Sequence, residues 1–240
     1  MDVLLEALAW LISPEQFQGP GSLPQRIAEH VFYTAVPTAV AALIALPLGY
    51  VIGHTGVGSV WVVGVSGAAR ALPSFGLLLL LVLLLGVQGR EVAAIVALAL
   101  LGIPPIVAGA YSGLQQIPRT VIDAARAQGM TEWQVWRKVE LPLSLPVVLG
   151  GLRSAVLQIV ATATLVAYVG LGGLGHDIIQ GIPLRRFDQT VGAALVIVAL
   201  AVVIDQALAF ATRKAVPRGV IIGALHDVRA RSTSARTSGG

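Results

Sequence analysis

The chain has 240 residues, of which 56% are hydrophobic and only 12% are charged. Soluble domains carry about 25% charged residues, so this composition predicts an integral protein of the lipid bilayer and excludes a soluble globular domain. The net charge of +4 does not indicate nucleic-acid binding, because the basic residues lie mainly beside apolar segments, where positive charge sets membrane topology. The absence of cysteine excludes disulfides, thiolate zinc sites and thiol nucleophiles.

Residues 1–29 are predicted to form an extracytoplasmic N-terminal segment. They begin with a weakly apolar stretch that contains Asp2 and Glu6 and continue through glycine and proline residues at positions 19–24. A secretory signal needs a positively charged start and a longer apolar core. We therefore expect this segment not to be a secretory signal.

Five apolar runs follow, each near the ~20 residues that a helix needs to cross the hydrocarbon layer. The predicted membrane-spanning helices are residues 31–53, 59–86, 91–112, 146–169 and 190–212. The second run is long and contains Pro73, so we expect it to be bent or tilted. Dividing it in two would give six spans and would move one terminus across the membrane.

The distribution of positive charge chooses the orientation of these spans. Cytoplasmic loops of membrane proteins carry an excess of lysine and arginine. An external N-terminus and a cytoplasmic C-terminus satisfy this rule, with Arg119, Arg126, Arg137, Lys138, Arg213, Lys214 and Arg218 inside and Arg26, Arg90, Arg185 and Arg186 outside. After Pro217 the chain becomes small and polar, so the last ~15 residues are predicted to be disordered.

A polar insert, which we define as residues 118–142, separates the third and fourth predicted spans. Pro118 suits the first turn of a helix, and Gly129 is the natural left-handed end of that helix. Thr131 and Gln134 have the spacing of a capping box, which predicts that a second helix starts at once. The insert is therefore predicted to be a helix-turn-helix that a partner in the water contacts.

The second helix of the insert places Trp133 and Trp136 on one face. We expect Pro142 and Pro146 to break the helical pattern before the next span begins. The acidic residues of the insert have no base or nucleophile nearby, so they are expected to lie on solvated helix faces: Asp123, Glu132 and Glu140.

Nucleotide-binding motifs lack their necessary context in this sequence. Residues 170–175 match the spacing GxGxxG, but a predicted membrane helix precedes them and no acidic residue lies near position 195. We interpret them as a tight glycine-rich turn or a close backbone approach. Neither Lys138 nor Lys214 is followed by serine or threonine, so the chain has no P-loop. We predict no catalytic residues, no metal site and no cofactor bound by this chain.

Charged residues within the predicted spans are candidates for function, because lipid exposure of a charge is unfavourable. Arg70 lies just before Pro73, and two interpretations remain open for it: lining or gating a transport pathway, or snorkelling. Arg153 lies about two turns from the cytoplasmic end of its predicted span, which favours snorkelling or a structural hydrogen bond. Asp205 is expected to pair with a neighbouring helix or with the interface.

Small residues recur at the spacing that allows two helices to approach closely. Gly49 with Gly53, and Gly109 with Gly113, follow the GxxxG pattern. This pattern is common, and we take it to indicate packing only.

The stretch DAARAQGMTEWQVWRKVELP, residues 123–142, resembles the EAA loop of bacterial ABC-importer permeases. That loop reads Glu-Ala-Ala, three residues, Gly, nine residues, Ile, any residue and Leu-Pro. Asp123 here replaces the glutamate and Val139 replaces the isoleucine. The flanking stretches ALPSFGLLLLLVLLLG and ATATLVAYVGLGGLG are similar to permeases for osmoprotectants such as glycine betaine, choline and related quaternary amines.

The resemblance implies an all-α fold of the type I ABC-importer permease class in the bacterial inner membrane. It implies about five transmembrane helices with a cytoplasmic coupling helix-turn-helix between the third and the fourth. The permease domain would be residues 30–213, followed by a cytoplasmic tail of residues 214–240.

The resemblance also implies the partners. Cytoplasmic ABC ATPase subunits would bind ATP and Mg, an extracytoplasmic substrate-binding protein would deliver the solute, and a second permease copy or a sister permease would complete the pathway. Coupling to the ATPase is assigned to Asp123, Ala124, Ala125, Gly129, Trp133, Leu141 and Pro142. Candidate residues of the translocation pathway or its gate are Arg70, Pro73, Ser74, Arg153, Thr162 and Thr164.

Several alternatives remain open from the sequence. Methionine permeases share the loop and the glycine-rich turn, so a permease for methionine or another small polar solute is the nearest alternative. An uncoupled channel or a membrane scaffold is the alternative of a different class, and a membrane enzyme is third. The resemblance implies that an aromatic cage in the binding protein selects the cation, and the spans of this chain show no aromatic cluster.

Overall fold

The computed structural model describes residues 2–58, Gly64 and residues 73–215, which are helical and contain no strand. Within the described residues, the chain begins with α1 (Asp2–Ile12), α2 (Leu23–Thr55), α3 (Ser74–Leu85) and α4 (Arg90–Gln115). The insert forms α5 (Arg119–Ala127) and α6 (Glu132–Val135), and then come α7 (Leu141–Thr162), α8 (Gly175–Gly181) and α9 (Phe187–Ala215). The 3-10 segments are Pro14–Phe17, Val87–Gly89 and Ala163–Val169, and a π-helical turn covers Trp136–Glu140.

In the part of the chain that the structure describes, four helical stretches are long and apolar enough to cross a membrane: Leu23–Thr55, Val87–Gln115, Glu132–Val169 and Phe187–Ala215. They contain four of the five predicted spans, and the prediction of an all-α membrane protein is confirmed. The remaining span, residues 59–86, is described only at Gly64 and from Pro73 onward. There α3 begins directly after Pro73, in agreement with a break at that residue. Arg70 lies outside the described residues.

The N-terminal region is more helical than expected. α2 begins at Leu23, about two turns before the predicted span, and Ser22 and Pro24 supply the helix start. α1 was not predicted as a helix, and it packs against α9. Gly192 of α9 lies so close to the ring of Trp10 that an added Cβ would fall 2.5 Å from a ring carbon.

α4 is the central helix of the bundle, and it packs between α2 and α7. In its most apolar window 56% of the residues are buried, against 6% for α9, so α9 is peripheral within this chain. Small residues bring the backbones together, because a Cβ added at Gly109 would lie 2.8 Å from the Cα of Gly151 on α7. The close-packing interpretation of the GxxxG spacings is confirmed. We call the end of the bundle that carries the insert the insert end, and the other end the opposite end.

The expectation that Pro142 and Pro146 break the helix is wrong. Glu132–Val169 is one continuous helical stretch, and both prolines lie inside it. The physical reason is the π-helical turn just before Pro142, in which the N–H of Leu141 bonds to the carbonyl of Trp136 instead of the residue four positions back. The wider turn relieves the clash between the proline ring and the preceding turn, and membrane helices tolerate proline on such local adjustments.

Candidate functional site

The polar insert has the geometry that the sequence predicts. α5 ends at Ala127, and Gly129 follows with φ of +81°, the left-handed conformation. The Thr131 hydroxyl accepts a hydrogen bond from the backbone N–H of Gln134, whose side-chain oxygen accepts one from the N–H of Thr131 at 2.9 Å. The capping box and the glycine stop are therefore confirmed.

An ion pair joins the two short helices of the insert across Gly129. Nε and Nη2 of Arg126 donate to the two carboxylate oxygens of Glu132 at 2.8 and 2.9 Å. The hydrogen bond from Arg126 lowers the pKa of Glu132 below its ordinary value of 4.5. Glu132 is exposed as expected, but its role is to hold the angle between α5 and α6. Asp123 is also exposed, with a carboxylate oxygen 3.7 Å from Nη1 of Arg126.

Glu140 departs from its predicted place on a solvated face. It is only 4% exposed, and its carboxylate accepts a hydrogen bond from Nδ1 of His54 at 2.7 Å. His54 is in the last turn of α2, where Gln115 of α4 also donates to the carbonyl of Gly53 at 3.1 Å. The insert is thus tied to the end of α2, and the end of α2 is tied in turn to the end of α4. No local signal could have shown this contact, because it joins positions 86 residues apart.

The predicted coupling residues divide between the surface of the insert and its support. Asp123, Ala124, Gly129 and Trp133 are exposed, and nothing lies within 4 Å of a Cβ added at Gly129. Ala125 is buried, and Leu141 and Pro142 are half-buried. The exposed members form a surface that a partner can contact, while the others pack beneath it.

The structure brings two of the predicted pathway residues together. Ser74, at the start of α3, and Thr162, at the end of α7, line one small cavity beside Leu98 and Leu101 of α4. Its volume of about 10 Å³ is at the limit of what one water molecule needs. Pro73 is exposed just before Ser74.

The chain is irregular at this point, because α7 tightens into the 3-10 segment Ala163–Val169 directly after Thr162. The hydroxyls of Thr162 and Thr164 donate to carbonyls of their own helical stretch, at 2.8 and 2.9 Å. Phe75 and Tyr168 pack with ring centroids 4.8 Å apart across the junction. A long 3-10 segment within a helix is a common sign of a hinge.

Arg153 lies elsewhere, on the contact between α7 and α9. Its Nε and Nη2 atoms donate to the two carboxylate oxygens of Asp205 in a forked ion pair. The expectations of a structural hydrogen bond for Arg153 and of a helix partner for Asp205 are confirmed. A pathway role for Arg153 stays a prediction.

The glycine-rich segment at the opposite end is a tight turn, as interpreted from the sequence. Gly170 and Gly173 have φ of +72° and +88°, and a 3-10 segment rather than a strand precedes them. The N–H of Gly173 donates to the carboxylate of Glu29 at 2.7 Å, and Glu29 fills the space that a Cβ on Gly172 would need. Glycine is required here because the Glu29 side chain approaches the backbone.

A second set of polar contacts, centred on the buried Asp177, lies at the opposite end of the bundle. Arg26 of α2 lies 2.7 Å from the carboxylate of Asp177 on α8, and Gln189 of α9 donates to the same carboxylate oxygen at 2.7 Å. His30, one turn after Arg26 on α2, is buried, with Nε2 3.0 Å from the carbonyl of Val160. Sequence reasoning missed these residues, because their partners lie on separate helices.

Comparison with protein families gives a match over residues 45–218 to the binding-protein-dependent transport system inner membrane component. The chain belongs to this family. It is accordingly a multi-pass permease of the ABC-importer type, which works with ATPase and substrate-binding components and is not itself catalytic.

Curated relatives cover most of the chain. The glycine betaine/carnitine/choline transport system permease OpuCB of Bacillus subtilis is 32% identical, over 83% of this chain and 91% of the relative. The choline transport system permease OpuBB of the same organism is 34% identical over the same shares. The osmoprotectant import permease OsmW of Salmonella typhimurium is 32% identical, over 83% of this chain and 94% of the relative.

Among solved structures, an inward-facing form of the MetNI methionine ABC transporter matches with a TM-score of 0.70 and 25% identity. The match covers 81% of this chain and 96% of the solved chain. The type I importer permease fold is thereby confirmed.

Proposed function

We propose that this chain is the permease subunit of an ATP-driven, binding-protein-dependent importer of osmoprotectants, namely glycine betaine, choline or similar quaternary amines. The observation that carries the proposal is the exposed, capped helix-turn-helix of the insert at the position of the EAA loop. The substrate class is supported by the names of the three relatives above, each aligned over 83% of this chain.

In this proposal the exposed side of the insert docks on a cytoplasmic ATPase subunit, which binds ATP and Mg. A short amphipathic helix that enters a groove of its partner is a recurrent docking mode. Asp123, Ala124, Gly129 and Trp133 provide the contact surface. Ala125, Leu141 and Pro142 support it from beneath, and the Arg126–Glu132 pair fixes the angle of presentation.

Movement of the ATPase then reaches the membrane helices through the contacts of the insert. The buried Glu140–His54 hydrogen bond joins the insert to α2, and Gln115 joins α2 to α4. Closure of two ATPase subunits would bias the permease between two states that open to opposite sides of the membrane. The 3-10 segment after Thr162, with Ser74, Pro73 and Thr164 near it, is the proposed hinge of the pathway. Arg70 and Arg153 remain further candidates for the pathway.

The remaining partners follow from the proposed orientation. The opposite end of the bundle, with the glycine-rich turn, would face the extracytoplasmic binding protein. A second permease copy or a sister permease would complete the pathway. The N-terminus would be outside and the C-terminus inside the bacterial inner membrane.

Methionine import is the second candidate, and the 25% identity to the MetNI permease favours it. A transport assay separates the two. The chain is assembled with its ATPase and binding protein in vesicles, and ATP-dependent uptake of labelled choline, glycine betaine, carnitine and methionine is compared. We expect uptake of at least one quaternary amine and none of methionine; methionine uptake alone would overturn the proposed substrate.

A further inference from the structure

An apolar groove of about 520 Å³ lies at the insert end, between the last turns of α2 and the start of the Glu132–Val169 stretch. Three aromatic side chains line it: Tyr50 from α2, and Trp133 and Trp136 from the insert. Tyr50 is far from the two tryptophans in sequence, so only the fold brings the three rings together. Trp133 is shared with the proposed ATPase contact surface, whereas the rest of the groove lies apart from the exposed residues of α5 and from the hinge near Thr162.

The three rings contact one another along the groove. Trp133 and Trp136 stack with centroids 4.8 Å apart and planes at 27°, and Tyr50 meets Trp136 edge to face at 6.0 Å. Trp133 is 63% exposed, so much of its side chain remains open to a further contact. The face of an aromatic ring is the negative end of its quadrupole, and tryptophan attracts a cation most strongly.

The charge on the groove complements a cation. Among its described lining residues, Glu132 is the only aspartate, glutamate, lysine or arginine, and its charge is negative. Nε and Nη2 of Arg126 donate to the two carboxylate oxygens of Glu132, and Nε2 of His54 lies 3.8 Å from the same carboxylate. A ligand in the groove would therefore meet aromatic faces first and a partly neutralised carboxylate at the edge.

We propose that this groove is a binding site for a quaternary ammonium cation on the insert side of the permease. Methyl groups spread the charge of such a cation and remove its hydrogen-bond donors, so an apolar groove with few acceptors suits it better than it suits ammonium or a hydrated metal ion. Aromatic faces recognise such ligands through cation–π contact. The identity of the physiological ligand rests on the proposed function, whereas the binding site is inferred from the geometry and lining of the groove.

A lipid chain is the other occupant that the test addresses. Tryptophan and tyrosine also collect at membrane–water interfaces, where a lipid chain would fill the groove. A lipid occupant would bind by apolar contact alone and would not discriminate charge. The neutral analogue of choline, in which a tert-butyl group replaces the trimethylammonium, has the same shape and separates the two chemistries.

The experiment uses the full chain in nanodiscs of phosphatidylglycerol, which contain no choline headgroup. Two of the four tryptophans line the groove, so intrinsic fluorescence reports on it directly. Tetramethylammonium and choline are titrated at constant ionic strength against sodium and the neutral analogue. We expect a saturable change with the two cations, at an affinity about tenfold or more above that for the neutral analogue, and no change with sodium.

Matched variants locate the site. Trp133→Leu should weaken cation binding about tenfold, with Trp136 still reporting, whereas Trp10→Leu, against α9 near the opposite end, should leave it unchanged. Tyr50→Phe should bind like the parent chain because the ring is kept. Equal binding of the neutral analogue, or an unchanged cation affinity in Trp133→Leu, would overturn the proposal. Binding is measured without ATPase or binding protein, so a failure of the proposed transport function would be seen separately in uptake assays.

Discussion

Nδ1 of His54 donates a hydrogen bond to the buried carboxylate of Glu140 at 2.7 Å, and this contact ties the polar insert to the last turn of α2. The two residues are 86 positions apart, and Glu140 lies in the π-helical turn that leads from the insert into the membrane. A displacement of the insert can therefore be transmitted to α2 through this hydrogen bond.

Breaking this contact should uncouple transport. His54→Leu leaves the Glu140 carboxylate buried without a donor, and an unsatisfied buried acceptor costs about 1–3 kcal/mol. Glu140→Gln is the matched control, since its amide oxygen still accepts from His54. We expect His54→Leu to lower ATP-dependent uptake at least severalfold while co-purification of the ATPase is kept. Equal uptake by His54→Leu and the parent chain would remove this contact from the coupling route.

The Arg126–Glu132 pair predicts a pH dependence of the insert. The hydrogen bond from Arg126 lowers the pKa of Glu132 in the folded chain, so the ionised pair stabilises the insert above the ordinary pKa of 4.5. This stabilisation is present at neutral pH and is lost as the pH falls below about 4.5 through the lowered pKa. Hydrogen exchange of residues 119–135, corrected for intrinsic rates, should show less protection at acid pH.

Two variants test the origin of that effect. Glu132→Gln should have the same weak protection at every pH, because it has no carboxylate to protonate. Arg126→Lys should keep part of the pH dependence but lose the forked geometry. Because both side chains are exposed, high salt should reduce the difference between the parent chain and Glu132→Gln. A parent chain whose protection does not change with pH would contradict the assignment.

Neighbouring glycines on α7 should respond differently to a methyl group. A Cβ at Gly151 would lie 2.7 Å from the carbonyl oxygen of Pro105 and 2.9 Å from the Cα of Gly109, both of them backbone, whereas a Cβ at Gly150 meets nothing within 4 Å. Gly151→Ala should destabilise the chain by about 1–3 kcal/mol, because backbone yields little. Gly150→Ala should be neutral or stabilising by up to about 1 kcal/mol through helix propensity. Thermal unfolding in one detergent compares them, and equal melting temperatures would refute the close α4–α7 contact.

The local features of the insert could be predicted from sequence because their causes act over a few residues. Gly129 adopts positive φ at the end of one helix, and Thr131 and Gln134 cap the next, as the spacing indicates. The membrane helices could be predicted for a similar reason, since length and apolar composition are properties of one segment. The pathway pair Ser74 and Thr162 came from resemblance, and the fold then placed both at one cavity.

Features that depend on distant contacts could not be predicted. Glu140 seemed solvated because nothing near it in sequence could pair with it, yet His54 covers it in the fold. The carboxylate of Glu29 reaches the N–H of Gly173 across 144 positions. Pro142 was expected to end a helix, because the rule for proline in a regular helix does not anticipate the π-helical turn before it.

Cysteine labelling tests the proposed orientation without background, since the chain has no cysteine of its own. Single cysteines are introduced at Ser22 before α2, at the exposed Gln128 of the insert and at Ser232 in the tail. The excess of positive charge near the insert predicts a cytoplasmic insert and an external N-terminus. We therefore expect position 22 to react with an impermeant reagent in intact cells. The other two positions should react only after permeabilisation. The reverse pattern would mean an inverted chain, and labelling of Gln128→Cys and Ser232→Cys on opposite sides would require a different number of spans.

If the insert couples ATP hydrolysis to osmoprotectant transport, the left-handed turn at Gly129 should be essential for that coupling. Its φ of +81° costs any ordinary side chain about 1 kcal/mol, and the open space around it means that no clash adds to this cost. Gly129→Val should therefore be expressed and inserted normally while it turns α5 away from its docking angle. Gly129→Asn is the matched control, because asparagine tolerates the left-handed conformation. Thr131→Ala, which loses a cap worth about 1 kcal/mol, should give a partial defect.

The deciding measurement is ATP-dependent uptake of a quaternary amine by the assembled importer in vesicles with matched permease levels. Substrate-stimulated ATP hydrolysis is recorded in the same vesicles. We expect both activities to be lost in Gly129→Val and largely kept in Gly129→Asn. Full transport by Gly129→Val would contradict the assignment of the insert as the coupling element.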